Sequence, residues 1–100
     1  MPQENSNLRE RTRSRIKEPG KYSVIFLNDD FTPMDFVVLM LVNIFFKSME
    51  EAETLMMKVH TEGKAIVGIY SLDIAQSKAE KTIAISRANG FPLRVVVQEV

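Results

Sequence analysis

Cysteine is absent from the sequence, and neither sign of charge is in excess. Without cysteine the chain has no disulfide framework, no thiolate nucleophile and no cysteine-ligated zinc, which fits a reducing compartment. The 13 basic and 13 acidic residues balance, so the net charge offers no electrostatic argument for binding nucleic acid or an anionic membrane.

Long hydrophobic runs are also lacking. The longest apolar stretch, residues 36–46, has eleven residues and includes Asn43, whereas a membrane-spanning helix needs about 20. The first residues, MPQENSNL, contain no apolar segment of the kind found in secretory signals. We therefore expect a cytoplasmic protein without a membrane partner.

Motifs of known enzyme classes are missing. No phosphate-binding glycine loop, Rossmann fingerprint, nucleophile elbow or HExxH zinc motif occurs. Seven scattered serines beside a single histidine do not make a catalytic triad either. Asp29, Asp30 and His60 are a conceivable ligand set for a metal ion, but the segment after Asp29 lacks the spaced acids and glycine of a calcium loop. The sequence predicts no enzyme, metal or cofactor, and a metal-dependent enzyme ranks third among the hypotheses.

What the chain does have is enough apolar content for one domain. One hundred residues that are 45% hydrophobic suffice for a modest core and are too few for two. Residues 1–20 are polar, lack apolar periodicity and end on Pro19-Gly20, which predicts a disordered N-terminal extension before a core at residues 21–100. The extension holds five basic and three acidic residues, and the rest of the chain eight basic and ten acidic.

The first elements of the core have clear signals. Residues 22–27 (YSVIFL) end in four consecutive apolar residues, which predicts a strand covered on both faces. Thr32 as N-cap, Pro33 at the first helical position and Asp35 in the first turn predict a helix from Pro33 to about Phe46. This helix is apolar nearly all round, so it is either sandwiched in the core or lines an apolar pocket.

The second helix has recognisable ends. Ser48 and Glu51 form the pattern of a capping box, and Gly63 is the expected C-terminal stop. Met56 and His60 are four residues apart and therefore lie on one face of this helix. Five of the six methionines fall on the first two helices, as in a methionine-rich core or a surface that adapts to ligands of several shapes.

The remaining pattern completes the fold. Residues 65–70 (AIVGIY) predict a second strand, Ser71 and Asp73 begin a third helix that ends at Gly90, and residues 93–98 predict a final strand. The stripe expected on the third helix is Leu72, Ala75, Ala79, Ile83 and Ser86. The order β-α-α-β-α-β predicts a two-layer α+β domain in which a three-stranded antiparallel sheet packs on three helices, mainly on one face.

Three segments together resemble the ClpS family of bacterial adaptors in the N-end rule protease pathway. They are YSVIFLNDDFTPMDFV, LMMKVHTEGKAIVGIYS and FPLRVVVQEV, and the resemblance covers residues 21–100. It implies a small α+β domain without catalytic activity that recognises proteins beginning with Leu, Phe, Tyr or Trp. Such an adaptor hands these proteins to a ClpA- or ClpC-type AAA+ unfoldase that works with the ClpP peptidase.

Matched position by position, the resemblance also implies roles for individual residues. The α-amino-binding residues would be Asn28, Asp29 and His60. Asp30 and Thr32 would support the loop and contact the first peptide residues. The hydrophobic pocket would comprise Ile25, Met34, Val37, Met56, Val59 and Leu93, with Met34 as a gate that disfavours β-branched first residues. The unfoldase-facing surface would comprise Tyr70, Asp73 and Lys78, with Thr61 at its margin. The residues around Asp73 depart from the family's commoner Thr and Glu.

Physical chemistry agrees with these implied roles. A free α-amino group with a pKa near 8 is largely cationic at neutral pH. Each charge-assisted hydrogen bond to it contributes about 1.5 to 3 kcal/mol, and burying a Leu or aromatic side chain roughly the same. Micromolar affinity requires about 8 kcal/mol, so amine and side chain are both needed.

Two alternatives stay open. The chain could be a protein–protein scaffold, with a fold like that of ribosomal stalk-type domains, that docks a partner without reading a free N-terminus; acetylation of the partner would then make no difference. The extension could be a short nucleic-acid arm, although acids interrupt its basic run, instead of a segment that the unfoldase engages.

Overall fold

The computed structural model describes residues 20–100, which form three strands and three helices. In chain order they are β1 (Tyr22–Leu27), α1 (Met34–Asn43), α2 (Met49–Glu62), β2 (Lys64–Tyr70), α3 (Leu72–Ala88) and β3 (Arg94–Glu99). The predicted α+β class and the order β-α-α-β-α-β are confirmed. Apart from Gly20, the predicted N-terminal extension lies outside the described residues.

The sheet is antiparallel throughout and has the order β2-β1-β3. The central strand β1 holds the apolar run, and its Val24 and Phe26 are fully buried against the helices. Ile25 lies on the opposite face, opposite Ile66 on one neighbouring strand and Val96 on the other. Since those two side chains are exposed, the prediction that helices would cover mainly one face of the sheet is confirmed.

Small residues bring α3 close to the sheet. Ala75, Ala79, Thr82 and Ser86 are its buried residues, whereas Leu72 at the predicted end of the stripe is exposed. The buried hydroxyls are satisfied locally: the Thr82 hydroxyl donates to the Lys78 carbonyl at 2.8 Å, and the Ser86 hydroxyl to the Thr82 carbonyl at 2.7 Å. Buried hydroxyls without such partners would destabilise the core.

Helix α1 is shorter than predicted at both ends. It begins at Met34, so that Pro33 and not Thr32 is the N-cap, and the Thr32 hydroxyl donates to the Asp29 carboxylate. It ends at Asn43, since Phe46 adopts a left-handed φ of 56° and the Lys47 N–H returns to the Leu41 carbonyl. A left-handed residue after a helix is usually glycine, so Phe46 is an exception at this position.

Helix α2 follows its prediction closely. The Glu51 N–H donates to the Ser48 hydroxyl at 3.1 Å, and the Ser48 N–H donates back to the Glu51 carboxylate. Gly63 ends the helix in the left-handed region, with φ at 90°. The chain then enters β2 directly, so the last turn of α2 lies at the end of the sheet where β1 leaves it.

Candidate functional site

A depression of about 360 Å³ opens where the loop between β1 and α1 meets the last turn of α2. Its volume is near the lower end of the range of about 300 to 1,000 Å³ for ligand sites, so it suits one side chain rather than a large ligand. Its lining consists of Asn28, Asp29, Asp30, Phe31, Thr32, Pro33, Met34, Val37, Met56, Val59 and His60.

Backbone pairing holds the two walls of this depression together. The Asn28 N–H donates to the Gly63 carbonyl at 2.9 Å, one residue beyond the last β1–β2 pair, Leu27 with Lys64. This bond places the polar loop against the turn that follows His60. Asn28 and His60 therefore border the same opening, although 32 positions separate them in the sequence.

The Asp29 carboxylate organises the loop. One of its oxygens accepts the N–H groups of Phe31 and Thr32, each at 2.7 Å, and the other accepts the Thr32 hydroxyl at 2.8 Å. A carboxylate offers about four lone-pair positions, so three are occupied and one, on the second oxygen, is left for a ligand. Asp29 can thus order the loop and accept a bond from a ligand together.

These hydrogen bonds also control the ionisation of Asp29. Partial burial acts to raise its pKa, but the N–H groups of Thr32 and Phe31, the Thr32 hydroxyl and the positive charge of Arg94 outweigh it. The net effect holds the pKa of Asp29 below its ordinary value. The loop therefore presents a negative charge at neutral pH.

Asp30 differs sharply from its neighbour. Its side chain is exposed and takes part in none of the hydrogen bonds within the loop. The hydrogen bonds that order the loop therefore come from Asp29, while Asp30 lines the depression and its contact with the first peptide residues stays a prediction. Thr32 does belong to this network, as both a backbone and a hydroxyl donor.

The floor of the depression is apolar. Val37 from α1 and Val59 from α2 are buried, while Met34 and Met56 form a more exposed side. Acceptors thus lie at the loop and apolar side chains lie next to them. Such an arrangement suits a ligand that carries a cation beside an apolar group.

Two residues predicted for the pocket lie elsewhere. Ile25 lies outside the core cluster that holds its neighbours Val24 and Phe26. It lines a separate hollow together with Lys58 and Glu62 of α2 and with Lys64 and Gln98. Leu93 is 1% exposed and belongs to the core. The structure thus brings neither residue into the lining of the depression.

The sequence reasoning missed Phe31 and Pro33 as lining residues. Phe31 is 76% exposed on the loop, beside the bonds that Asp29 makes. Its position could have indicated a role in the site, because a plain turn between the acids and the helix start would favour a small polar residue over a large aromatic one.

The conceivable metal set does not form a metal site. Asp29, Asp30 and His60 line one depression, yet no group of three or more potential ligands converges anywhere in residues 20–100. Within the same range, no helix is both long and apolar enough to cross a bilayer.

Two of the residues predicted to face an unfoldase, Tyr70 and Lys78, lie close to each other. The Lys78 amine donates to the Ile44 carbonyl at 2.6 Å, and it lies 4.6 Å from the ring centre of Phe46 and 5.3 Å from that of Tyr70. Burial lowers the pKa of Lys78, and the charge of Lys81 lowers it further. Lys78 therefore stabilises the end of α1 whatever else it contacts.

Asp73 and Thr61, the other two residues of this predicted surface, are both exposed. Asp73 is exposed in the first turn of α3. Thr61 is exposed on α2, where its hydroxyl donates to the Met57 carbonyl at 2.8 Å.

Comparison with known proteins gives a consistent result. The sequence model of the family described as "ATP-dependent Clp protease adaptor protein ClpS" matches residues 17–96. The protein of that name from Treponema denticola is 58% identical over 83 residues, which are 83% of this chain and 82% of that protein. The Burkholderia cenocepacia protein of the same name is 43% identical over 96 residues, which are 96% of this chain and 92% of that protein.

A solved structure shares the fold. It is that of Agrobacterium tumefaciens ClpS2 bound to L-phenylalaninamide, with a TM-score of 0.78 and 36% sequence identity. The similarity covers 81% of this chain and 98% of that one.

Proposed function

Because this chain belongs to the ClpS family of ATP-dependent Clp protease adaptors, we propose that it selects proteins by their first residue. The ligand is a free α-amino group attached to Leu, Phe, Tyr or Trp. Bound proteins are delivered to a ClpA- or ClpC-type AAA+ unfoldase that works with ClpP. The family is one of adaptors rather than proteases, so the chain's task is recognition and not hydrolysis.

The observation that carries this proposal is the composition of the depression. An anionic, loop-ordering Asp29 lies beside an apolar floor of Val37 and Val59, within a space for one side chain. L-Phenylalaninamide, the ligand of the Agrobacterium neighbour, has a free amine and one aromatic side chain. Those are the two features that such a depression complements.

The α-amino group supplies the first half of the specificity. It is largely cationic at neutral pH, so the Asp29 carboxylate and the Asn28 amide oxygen accept charge-assisted hydrogen bonds from it. The His60 ring nitrogen that carries no hydrogen accepts a further hydrogen bond from the ammonium. An internal Phe offers only a neutral amide, and its chain would have to leave through the wall of the depression.

The side chain supplies the second half. Burying Leu or an aromatic ring against Val37, Val59 and Met56 adds roughly 1.5 to 3 kcal/mol. Met34 lies at the edge, where it limits the width near the first side-chain carbon and so disfavours branching there. Neither contribution alone reaches the roughly 8 kcal/mol of micromolar binding.

Delivery needs a surface that the unfoldase binds and a segment that the unfoldase engages. We assign the surface to Tyr70, Asp73 and Lys78, and the segment to the extension at residues 1–20. The extension mixes three acidic residues with its five basic ones, which suits engagement by an unfoldase better than binding to nucleic acid. Delivery also places the chain in the cytoplasm, where its partners act.

The proposal is tested by titrating the protein with peptides that differ only in their first residue. Peptides that begin with Leu, Phe, Tyr or Trp should bind at least about tenfold more tightly than peptides that begin with Ala or Glu. Equal affinity across the series would contradict the proposal. Recruitment of a bound fluorescent peptide to ClpA or ClpC in a pull-down then decides the unfoldase.

A further inference from the structure

We propose that a methionine-rich groove between α1 and α2 binds apolar side chains at the third and fourth residues of the substrate. This inference rests on the proposed function and extends it from one residue to a short segment. The adaptor would then read an N-terminal segment instead of a single N-terminal side chain.

The groove is larger and more apolar than the depression described above. Its volume is about 710 Å³, and it is lined by Met34, Asp35, Val38, Leu39, Met49, Glu53, Met56 and Met57. Leu39 is 50% exposed, Met49 55% and Met57 45%. Large apolar side chains that are clustered and half-exposed commonly mark a binding surface.

Continuity with the depression identifies the occupant. Met34 and Met56 line both spaces and so form the wall between them. Along α2, His60, Met56, Glu53 and Met49 follow one another at helical spacings of four, three and four, on one face. This face leads from the end that binds the amine, past the wall, into the groove.

The length of the groove matches a short piece of extended chain. Met56 and Met49 are seven residues apart on α2, which corresponds to roughly 10 Å along the helix axis. An extended peptide advances roughly 3.3 Å per residue, so about three residues fit. With the first residue in the depression and the second crossing the wall, the third and fourth reach the groove.

Methionine also determines what kind of selectivity to expect. Its unbranched, polarisable side chain adapts to apolar groups of different shapes, and four of the eight lining residues are methionines. The groove should therefore favour Leu, Ile, Phe or Met at these positions to similar degrees. Serine or glycine there should lose that contribution.

The test uses two fluorescent peptides with free N-termini, Phe-Ser-Leu-Leu and Phe-Ser-Ser-Ser, each followed by the same polar tail. The parent protein should bind the first about tenfold more tightly. The double variant Met49→Ser, Met57→Ser should reduce this ratio to below about twofold while binding Phe-Ser-Ser-Ser as the parent does. Ile66→Ser is the matched control: Ile66 is also half-exposed, but it lies on the sheet, so the tenfold ratio should persist.

Several results would overturn the inference. The parent could bind both peptides equally, or the double variant could keep the full ratio. A parent that sediments as a dimer beside a monomeric double variant would assign the groove to a second copy of the chain. Weak, acetylation-insensitive binding of Phe-Ser-Ser-Ser would refute the proposed function itself, whereas tight binding of it without a leucine preference would refute the groove alone.

Discussion

The substitution Asp29→Asn removes one negative charge and leaves most of the loop's geometry in place. The remaining amide oxygen still accepts the N–H groups of Phe31 and Thr32, which now bond one carboxylate oxygen at 2.7 Å. The new amide nitrogen replaces the oxygen that the Thr32 hydroxyl contacts, and that hydroxyl can rotate to accept instead. The variant should therefore fold normally.

The expected loss is in ligand affinity. The second carboxylate oxygen is the one with a free position for the substrate's ammonium. In the variant an amide NH₂ group replaces this oxygen, and because it is a hydrogen-bond donor it cannot bond the ammonium, which is also a donor. Losing one charge-assisted hydrogen bond is worth about 1.5 to 3 kcal/mol, which corresponds to a roughly 10- to 100-fold increase in Kd. An N-terminally acetylated peptide, which lacks the charge, should show almost no further loss.

Fluorescence anisotropy with a Phe-initiated peptide measures this change, and urea unfolding checks that the variant is folded. Asp30→Asn is the matched control, since it removes the same charge from the adjacent residue, which is exposed and outside the loop's bonds. Its effect should stay below about threefold, because exposed charges are screened. If Asp29→Asn and Asp30→Asn weakened binding equally, the role given to the Asp29 carboxylate would be refuted.

Three other predictions concern acid stability, the α1 terminus and the width of the pocket. Because the pKa of Asp29 is below its ordinary value, its contribution to stability is complete above about pH 4 and disappears as pH falls through the folded-state value. The stability difference between parent and Asp29→Asn should therefore shrink on acidification from pH 5 to pH 2 in thermal unfolding, and a constant difference would contradict this. Lys78→Met should lower the free energy of unfolding in urea by about 1 to 2 kcal/mol, since it loses the bond to Ile44 and the contact with Phe46, and an effect no larger than that of Lys81→Met would argue against this. Met34→Ala should raise the affinity for Ile-initiated peptides roughly tenfold relative to Phe-initiated ones, and an unchanged ratio would remove Met34 as the gate.

Much of the fold could be predicted because the local signals agree with one another. The Ser48–Glu51 box, Gly63 and the apolar run of β1 each specify an element that the structure contains. The ends of α1 could not be placed, because they depend on contacts outside the helix. Thr32 bonds Asp29 instead of capping, and Phe46 takes a backbone conformation that its residue type rarely adopts.

The site was predictable as a set of residue types but not as a geometry. The resemblance pointed to the loop and to His60, which the Asn28–Gly63 bond brings to one opening. Strand alternation, already visible in the sequence, should have removed Ile25 from the pocket. The different hydrogen bonding of Asp29 and Asp30 could not be predicted, because nothing in the sequence distinguishes two adjacent acids.

A titration with four peptides, which combine a first residue of Phe or Ala with a free or an acetylated amine, separates the contribution of the amine from that of the side chain. Only the free Phe peptide should bind in the micromolar range. Replacing the first Phe by Ala, or acetylating the amine, should each weaken binding by roughly tenfold or more. Equal binding of the free and the acetylated Phe peptides would show that the protein does not recognise a free α-amino group.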